Sequence, residues 1–232
     1  MIKFFDIFKS DKTLHSKILN TIKKTFKKGD FIQGEYTKIF EKNFSKFVNA
    51  KYSVGCANGT DALILALKSL DLPKNSEVIL PAMTYCSTIF AVIQSNLKPV
   101  LVDIGTNSPT IDIDQIKKNI TKKTKVILPV HLYGSAINIE VIRKLLKKYK
   151  QKIFIIDDCA QAHGALDDKK RNIGSTSDIS CFSLYPGKNL GAYGDAGIIT
   201  TNNKKLYKKI KNFRNLGSDV KFIHNQIGFN SR

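Results

Sequence analysis

The chain has 232 residues, of which 42% are hydrophobic and 25% are charged. This composition is typical of a globular protein with apolar material for one large core, or for one domain and part of another. No apolar run approaches the about 20 residues that span a bilayer. The first residues, MIKFFDIFKSDK, mix apolar and charged side chains without a signal-peptide cleavage site. We therefore expect neither a signal peptide nor a membrane partner.

The four cysteines have no CxxC spacing and no dense framework; they are Cys56, Cys86, Cys159 and Cys181. This usage is typical of a reducing compartment and argues against a structural zinc site. We expect a cytoplasmic protein without a metal.

Positive charge dominates, because the 38 Lys and Arg residues outnumber the 19 Asp and Glu residues and give a net charge of +19. Such a balance raises the possibility of nucleic-acid binding. The lysines, however, are spread in pairs over almost every predicted helix, as on solvated faces, and no recognition motif accompanies them. We expect no nucleic-acid partner, although a basic surface would also attract a substrate that carries a diphosphate.

Helical and strand patterns alternate along most of the chain. In order, they predict helices at 12–28 and 36–48, a strand at 52–56, a helix at 60–70, a strand at 77–80, a helix at 87–95, a strand at 98–102, a helix at 114–120, a strand at 125–130, a helix at 138–148, strands at 153–157, 178–183 and 197–201, and a helix at 203–214. This order predicts an α/β fold, a three-layer sandwich with a mostly parallel central sheet covered on both faces. Ligands bind such sheets beyond the carboxyl ends of the strands. Phe40, Phe44 and Phe47 lie at helical spacing and are expected in the core.

The first two strands are followed by residues suited to a phosphate and a planar ring. After 52–56, Asn58 and Gly59 cap the next helix and Thr60 opens it, which creates an anion site, although Asn-Gly-Thr is also an ordinary helix start. After 77–80, Tyr85 lies at a strand-to-helix turn. Its ring is placed either to stack on a ligand or to pack on the rim of the core.

The strand at 153–157 runs into Asp157 and Asp158, which alternation places on opposite faces, so only one is expected to point into a site. Cys159 and His163 stand four residues apart and raise the hypothesis of a nucleophilic pair. A buried cysteine in a short apolar helix is more often packing, and the glycine after His163 indicates a helix end. His131, His163 and the acids lack metal-ligand spacing.

Lys188 lies among small and turn-forming residues in CFSLYPGKNLGAYGDAG. Such a lysine can face a cavity, where it would grip a phosphate or do covalent chemistry, or it is an ordinary surface lysine. A P-loop is excluded because Cys181 stands in place of its first glycine and Asn189 in place of its hydroxyl residue. A Rossmann fingerprint is excluded because Gly55 and Gly59 lack its spacing.

A different set of residues fits a single cofactor. Gly59 and Thr60 at a helix start suit a phosphate, Tyr85 suits a ring face, Asp158 suits a ring nitrogen and Lys188 suits an aldehyde. Pyridoxal phosphate requires all of these partners.

Four ordered motifs carry a resemblance: NGTDALILAL, PAMTYCST, IIDDCAQAHGA and FSLYPGKNLGAYGDAG. They resemble the DegT/StrS sugar aminotransferases, a branch of the fold type I pyridoxal phosphate enzymes, and the likeness extends over the chain from MIKFFDIF. The resemblance implies an aspartate aminotransferase-like large domain. Residues 1–232 would then hold an N-terminal segment and this domain, and the small C-terminal domain that follows GFNSR in the family is not part of the sequence.

The resemblance also implies roles for single residues. Lys188 would form the covalent bond to the cofactor and act as the catalytic residue, Asp158 would pair with the pyridinium nitrogen, and Gln161 would contact the ring hydroxyl. Tyr85 would stack on the ring, and the phosphate would be held by Gly59, Thr60 and Ser183. Asn230 resembles the asparagine that reaches the phosphate of the neighbouring subunit, which implies a homodimer with shared sites.

The implied activity is transfer of an amino group from glutamate to a nucleotide-linked keto-deoxysugar for amino-sugar and polysaccharide biosynthesis. NLGSDVKF followed by GFNSR resembles members that aminate position 3 of a dTDP-linked 3-keto-6-deoxyhexose. Related dehydratases carry histidine in place of the lysine, so Lys188 argues against that alternative. A non-catalytic member that binds a sugar nucleotide is a second alternative, and a nucleic-acid-binding domain would leave the order of the motifs unexplained.

Overall fold

The computed structural model of the chain describes residues 12–220 and 222–232. The segment MIKFFDIF, on which the absence of a signal peptide partly depends, and Lys221 within NLGSDVKF lie outside the described residues. The chain divides into two compact units, residues 1–40 and 41–232.

The first unit contains helix α1 (Lys12–Lys28) and the beginning of helix α2 (Glu35–Phe47). The Asp30 carboxylate accepts a hydrogen bond from the Glu35 amide at 2.7 Å and so satisfies a donor at the start of α2. Lys28 and Glu35 form an exposed ion pair at 2.6 Å. Both helices lie where the sequence predicts them.

The second unit is built on a seven-stranded sheet. Its strands are β1 (Tyr52–Cys56), β2 (Glu77–Pro81), β3 (Lys98–Val102), β4 (Thr124–Ile127), β5 (Phe154–Asp158), β6 (Ile179–Ser183) and β7 (Gly197–Thr201). Their order across the sheet is β1-β7-β6-β5-β4-β2-β3. Among these strands, β7 alone runs opposite to the other six, so the predicted, mostly parallel sheet is confirmed.

Helices cover both faces of this sheet. They are α3 (Gly59–Lys68), α4 (Cys86–Gln94), α5 (Ile113–Asn119), α6 (Ile139–Leu146) and α7 (Lys204–Arg214). Successive strand residues enter different hydrophobic clusters: Ile155 joins the cluster that includes residues of α5 and α6, and Ile156 joins the cluster that includes residues of α3, α4 and α7. Full burial of one such side chain stabilises the fold by about 1.5–3 kcal/mol. The two clusters confirm the predicted three-layer sandwich.

Strand β4 ends three residues earlier than predicted. Pro129 lacks the amide hydrogen that a ladder needs. Its carbonyl nevertheless accepts a hydrogen bond from the Asp158 amide at 2.9 Å, and the His131 amide donates to the Asp158 carbonyl at 3.0 Å. The segment after β4 therefore stays beside the end of β5.

Two expectations about local structure were wrong. Residues 159–165 form turns instead of a short helix: the Ala162 amide bonds to the Cys159 carbonyl three residues earlier, and Gly164 has φ +77°. Of the three phenylalanines at helical spacing that were expected in the core, only Phe44 is buried, whereas Phe47 is 53% exposed and Phe40 is partly exposed. A step of three residues turns a helix by about 300°, which moves Phe47 toward the edge of the buried face.

None of the helices within residues 12–220 and 222–232 is long and apolar enough to cross a membrane.

Candidate active site

A cavity of about 760 Å³ lies where parallel strands end. Its walls come from the segments that follow β1, β2, β4, β5 and β6, as expected for an open α/β sheet. Seven of the eight predicted site residues line it: Gly59, Thr60, Tyr85, Asp158, Gln161, Ser183 and Lys188. Residues far apart in the sequence thus meet around one space.

The start of α3 forms one end of the cavity. Asn58 has extended backbone, and its side chain accepts a hydrogen bond from the Asp61 amide at 2.8 Å, which caps the helix. A Cβ on Gly59 would lie 2.7 Å from the Ser183 Cβ, so only glycine lets the helix start approach the end of β6 this closely. The Ser183 hydroxyl therefore lies beside a helix N-terminus, where anions bind favourably.

Asp158 is only 6% exposed and is held by two donors. The Thr88 hydroxyl donates to its Oδ2 at 2.8 Å, and the Ala160 amide donates to its Oδ1 at 3.1 Å. Burial raises the pKa of Asp158, and the bonds from Thr88 and Ala160 oppose that rise. A cationic partner in the cavity would favour the ionised carboxylate. Asp157 does not line the cavity, as the alternation predicted.

Gln161 has a fixed amide orientation. Its Oε1 accepts a hydrogen bond from the Tyr133 amide at 2.8 Å, which leaves the amide NH₂ as the donor end of the side chain. Tyr133 and Gly134 have φ values of +55° and +80°. Tyr133 therefore adopts a left-handed conformation that costs free energy in a non-glycine residue, and such residues are often found at functional sites.

Tyr85 immediately precedes α4 and is 71% exposed. The sequence left two placements open for this ring, stacking on a ligand or packing on the rim of the core. A ring this exposed is not packed on the rim. One side of the residue borders the cavity, so the ring is available to stack on a ligand.

Lys188 lies in the loop between β6 and β7. Its amide donates to the Tyr185 carbonyl at 2.8 Å, and a Cβ on Gly191 would lie 2.4 Å from the Pro186 carbonyl oxygen. These contacts close the loop tightly, as the glycine and proline content suggested. The lysine borders the main cavity and also a second space of about 490 Å³, which Gln161 shares.

Asn230 does not line the cavity and is exposed. Its neighbour Ser231 is fully buried: the hydroxyl donates to Asp61 Oδ2 at 2.6 Å and accepts from the Ala57 amide at 3.1 Å. The segment that carries Asn230 is therefore fastened to the start of α3. Contact of Asn230 with a neighbouring subunit stays a prediction.

The sequence hypothesis of a Cys159–His163 nucleophilic pair has no support in the geometry. Cys159 lies beside Asp157 and His131, with their ligand-type atoms all within 4.8 Å, whereas the His163 ring packs against Phe182 at 5.4 Å between centroids. Burial raises the pKa of Cys159 well above its ordinary value and lowers that of His163 to about 4. A protonated, buried thiol is a poor nucleophile.

Sequence reasoning missed the residues that support Asp158. The hydroxyls of Thr84 and Thr88 share a hydrogen bond of 2.7 Å, and the Thr88 hydroxyl donates to the carboxylate of Asp158. The motif PAMTYCST contains both hydroxyls at the spacing of one helical turn, which was the available signal.

The three-layer sandwich with a cavity at its strand ends is that of the aspartate aminotransferase-like large domain. Residues 12–232 match the DegT/DnrJ/EryC1/StrS aminotransferase family, and the chain belongs to it.

One curated relative is the dTDP-3-amino-3,6-dideoxy-alpha-D-galactopyranose transaminase of Aneurinibacillus thermoaerophilus, which is 41% identical over 232 residues, 100% of this chain and 63% of the relative. The crystal structure of S. venezuelae DesV in complex with a ketimine intermediate is similar with a TM-score of 0.94 and 35% identity, over 100% of this chain and 62% of that chain. NtdA from Bacillus subtilis, crystallised with bound cofactor PMP, is similar with a TM-score of 0.89 and 35% identity, over 100% of this chain and 53% of that chain. The chain spans 58% to 63% of the length of the first curated relatives that it matches.

Proposed function

We propose that this chain binds pyridoxal phosphate through Lys188 and serves the transfer of an amino group from glutamate to a nucleotide-linked keto-deoxysugar. The observation that carries the proposal is the meeting of seven predicted cofactor residues around one cavity. For the sugar we propose a dTDP-linked 3-keto-6-deoxyhexose, supported by the 3-amino-3,6-dideoxy sugar in the name of the Aneurinibacillus relative. An N-terminal segment followed by the large cofactor-binding domain is part of this proposal and agrees with the two units.

The residues of the cavity fit this cofactor in chemistry. Gly59, Thr60 and Ser183 offer a helix N-terminus and hydroxyls to a phosphate. Gln161 retains amide donors for a ring hydroxyl because Tyr133 already occupies its oxygen. Asp158 is a buried carboxylate that gains from a cationic ring nitrogen.

Bound pyridoxal phosphate supplies an aldehyde that takes up the amino group and a ring that withdraws electrons from the reacting carbon. Asp158, when ionised, keeps a proton on the ring nitrogen. Lys188 holds the cofactor until an amino donor displaces it, and its Nζ then moves the proton between the substrate carbon and the cofactor. Tyr85 would stack on the ring.

Absorbance tests the covalent role of Lys188. Wild-type protein mixed with pyridoxal phosphate is expected to give a visible band that Lys188→Ala lacks, and borohydride should fix the cofactor on the peptide that contains residue 188. Lys208→Ala, which changes an exposed lysine of α7, is the matched control and should retain the band. Equal spectra for wild type and Lys188→Ala would refute the covalent role.

The transfer itself divides into two measurable halves. Glutamate alone should convert the bound cofactor to its pyridoxamine form, and a keto sugar should then restore the original absorbance. We expect the dTDP-linked 3-keto-6-deoxyhexose to restore it faster than the corresponding UDP-linked sugar. Restoration only by the UDP sugar would contradict the proposed nucleotide, and no response to glutamate would contradict the proposed donor.

We further propose a homodimer with shared sites, in which Asn230 reaches the phosphate held by its partner subunit, and a cytoplasmic location. The shared-site homodimer is supported by the exposure of Asn230 beside the anchored Ser231. The cytoplasmic location is supported by four free cysteines, three of them buried.

A further inference from the structure

The floor of the cavity contains a histidine to which the proposed function gives no role. His131 borders the cavity, yet its side chain is fully buried. Its amide donates to the carbonyl of Asp158 at 3.0 Å, so its backbone is fastened to the residue proposed to meet the ring nitrogen.

One hydrogen bond orients the His131 ring. The Ile137 amide donates to Nδ1 at 3.2 Å, so Nδ1 is the acceptor. The donor position of the ring is then Nε2, the other nitrogen of the imidazole.

Nε2 faces a second buried acid. It lies 3.5 Å from Asp157 Oδ2, and Asp157 is fully buried. The Ser180 hydroxyl is the other donor near this carboxylate, at 3.4 Å. Within the described part of the chain, Asp157 Oδ1 and His131 Nε2 have no hydrogen-bond partner. Ser180 and His131 are thus the two polar side chains that approach Asp157 Oδ2.

This arrangement affects Asp158 through charge. Asp157 and Asp158 are consecutive buried carboxylates, and like charges in a medium of low polarity raise the free energy of ionising both. A donor position directed at Asp157 reduces this cost. The other titratable groups near the two carboxylates are His131, Cys159, Cys181 and Lys188.

We propose that His131 is a positioning residue for the amino-transfer site, held by the Ile137 amide beside Asp157 and in turn setting the position and ionisation of Asp158. This inference rests on the proposed binding of pyridoxal phosphate. It assigns no contact between His131 and the reacting atoms.

Three substitutions separate the Ile137 hydrogen bond of the ring from its contact with Asp157. His131→Gln retains a donor that reaches Asp157, His131→Asn retains an acceptor for Ile137, and His131→Leu removes both. Two quantities are measured on each protein: the Kd of pyridoxal phosphate for the cofactor-free chain, and the pH midpoint of the absorbance change of the bound cofactor. The unfolding temperature of the cofactor-free chain reports the stability of the fold separately from cofactor binding.

We expect His131→Leu to raise the Kd about tenfold, because Asp158 would be less ionised and less well placed to hold a cationic ring nitrogen. We also expect it to displace the absorbance midpoint, and His131→Gln to restore most of both. Asp157→Asn, which keeps the volume but removes the charge, should displace the midpoint as well and supplies the test if His131→Leu fails to fold.

Unchanged Kd and midpoint in the folded variants would overturn the proposal, whether or not the unfolding temperature falls. Zinc present at one ion per wild-type chain would also overturn it, because His131, Asp157 and Cys159 would then act as ligands. Failure of the proposed function has a separate signature, since Lys188→Ala would then give the spectrum of the wild type.

Discussion

At the scale of single residues, the support of Asp158 by Thr88 is the contact most open to test. Thr88→Val removes the hydroxyl from a fully buried position with little change in volume, so the pKa of Asp158 should rise further. We expect the affinity for pyridoxal phosphate to fall about tenfold, since a smaller fraction of Asp158 would be ionised to hold a cationic ring nitrogen. Calorimetric titration of the cofactor-free protein measures it. Thr88→Ser keeps the hydroxyl and should bind like the wild type; equal loss in both variants would assign the effect to packing.

His163 makes the stability of the folded chain fall as the pH decreases. Burial lowers its pKa from 6.5 to about 4 in the folded chain, so between these values the unfolded chain binds more protons. The contribution to stability is complete above pH 6.5 and is lost as the pH falls toward 4. Unfolding temperatures of wild type and His163→Gln, compared across this window, should converge as the pH falls. A constant difference would show that His163 is not buried in its neutral form.

At the scale of elements, the contact between α3 and β6 depends on one missing side chain. In a free helix, alanine is favoured over glycine by about 1 kcal/mol. Gly59→Ala should nevertheless destabilise the chain by about 1–3 kcal/mol, because its Cβ would lie 2.7 Å from Ser183. Urea unfolding measures the change.

Two variants control this comparison. Gly187→Ala places its Cβ 3.6 Å from Tyr185, an ordinary contact, and should cost little. The double variant Gly59→Ala, Ser183→Gly removes the opposing Cβ and should recover stability. A stabilising Gly59→Ala would mean that α3 and β6 separate readily.

At the scale of the whole molecule, shared sites predict complementation between two variants, neither of which forms a complete site by itself. Lys188→Ala lacks the proposed catalytic amine, and Asn230→Ala lacks the proposed phosphate contact to the partner. When the two proteins are unfolded and refolded together, half of the dimers should be hybrids with one intact site, which restores roughly a quarter of the wild-type activity. Glutamate-dependent conversion of the cofactor measures it. A mixture no more active than its components would contradict shared sites.

The sequence predicted the order of elements because each strand has its own apolar run and turn residues, and it predicted that Asp157 and Asp158 diverge because strand side chains alternate. It could not predict that turns replace a helix after Asp158, since local hydrogen bonds there are set by packing against β6. It also gave no pairing for His131, because Ile137 and Asp157 meet it only through the fold. Motifs identified the groups that face the cavity, whereas the groups behind them depend on long-range contacts.

The reversed direction of β7 determines how the lysine loop is attached. Because β7 runs back along β6, the loop starts and finishes at the same end of the sheet, and the Leu184 amide bonds to the Ala196 carbonyl at 2.8 Å. Lys188 thus lies in a closed loop with two nearby anchors, and only a small loop-closure entropy is needed to place it. Had β7 been parallel, a crossover would have carried the chain away from the cavity. Loop length here is therefore a constraint on the reach of the amine, and an inserted residue would change that reach directly.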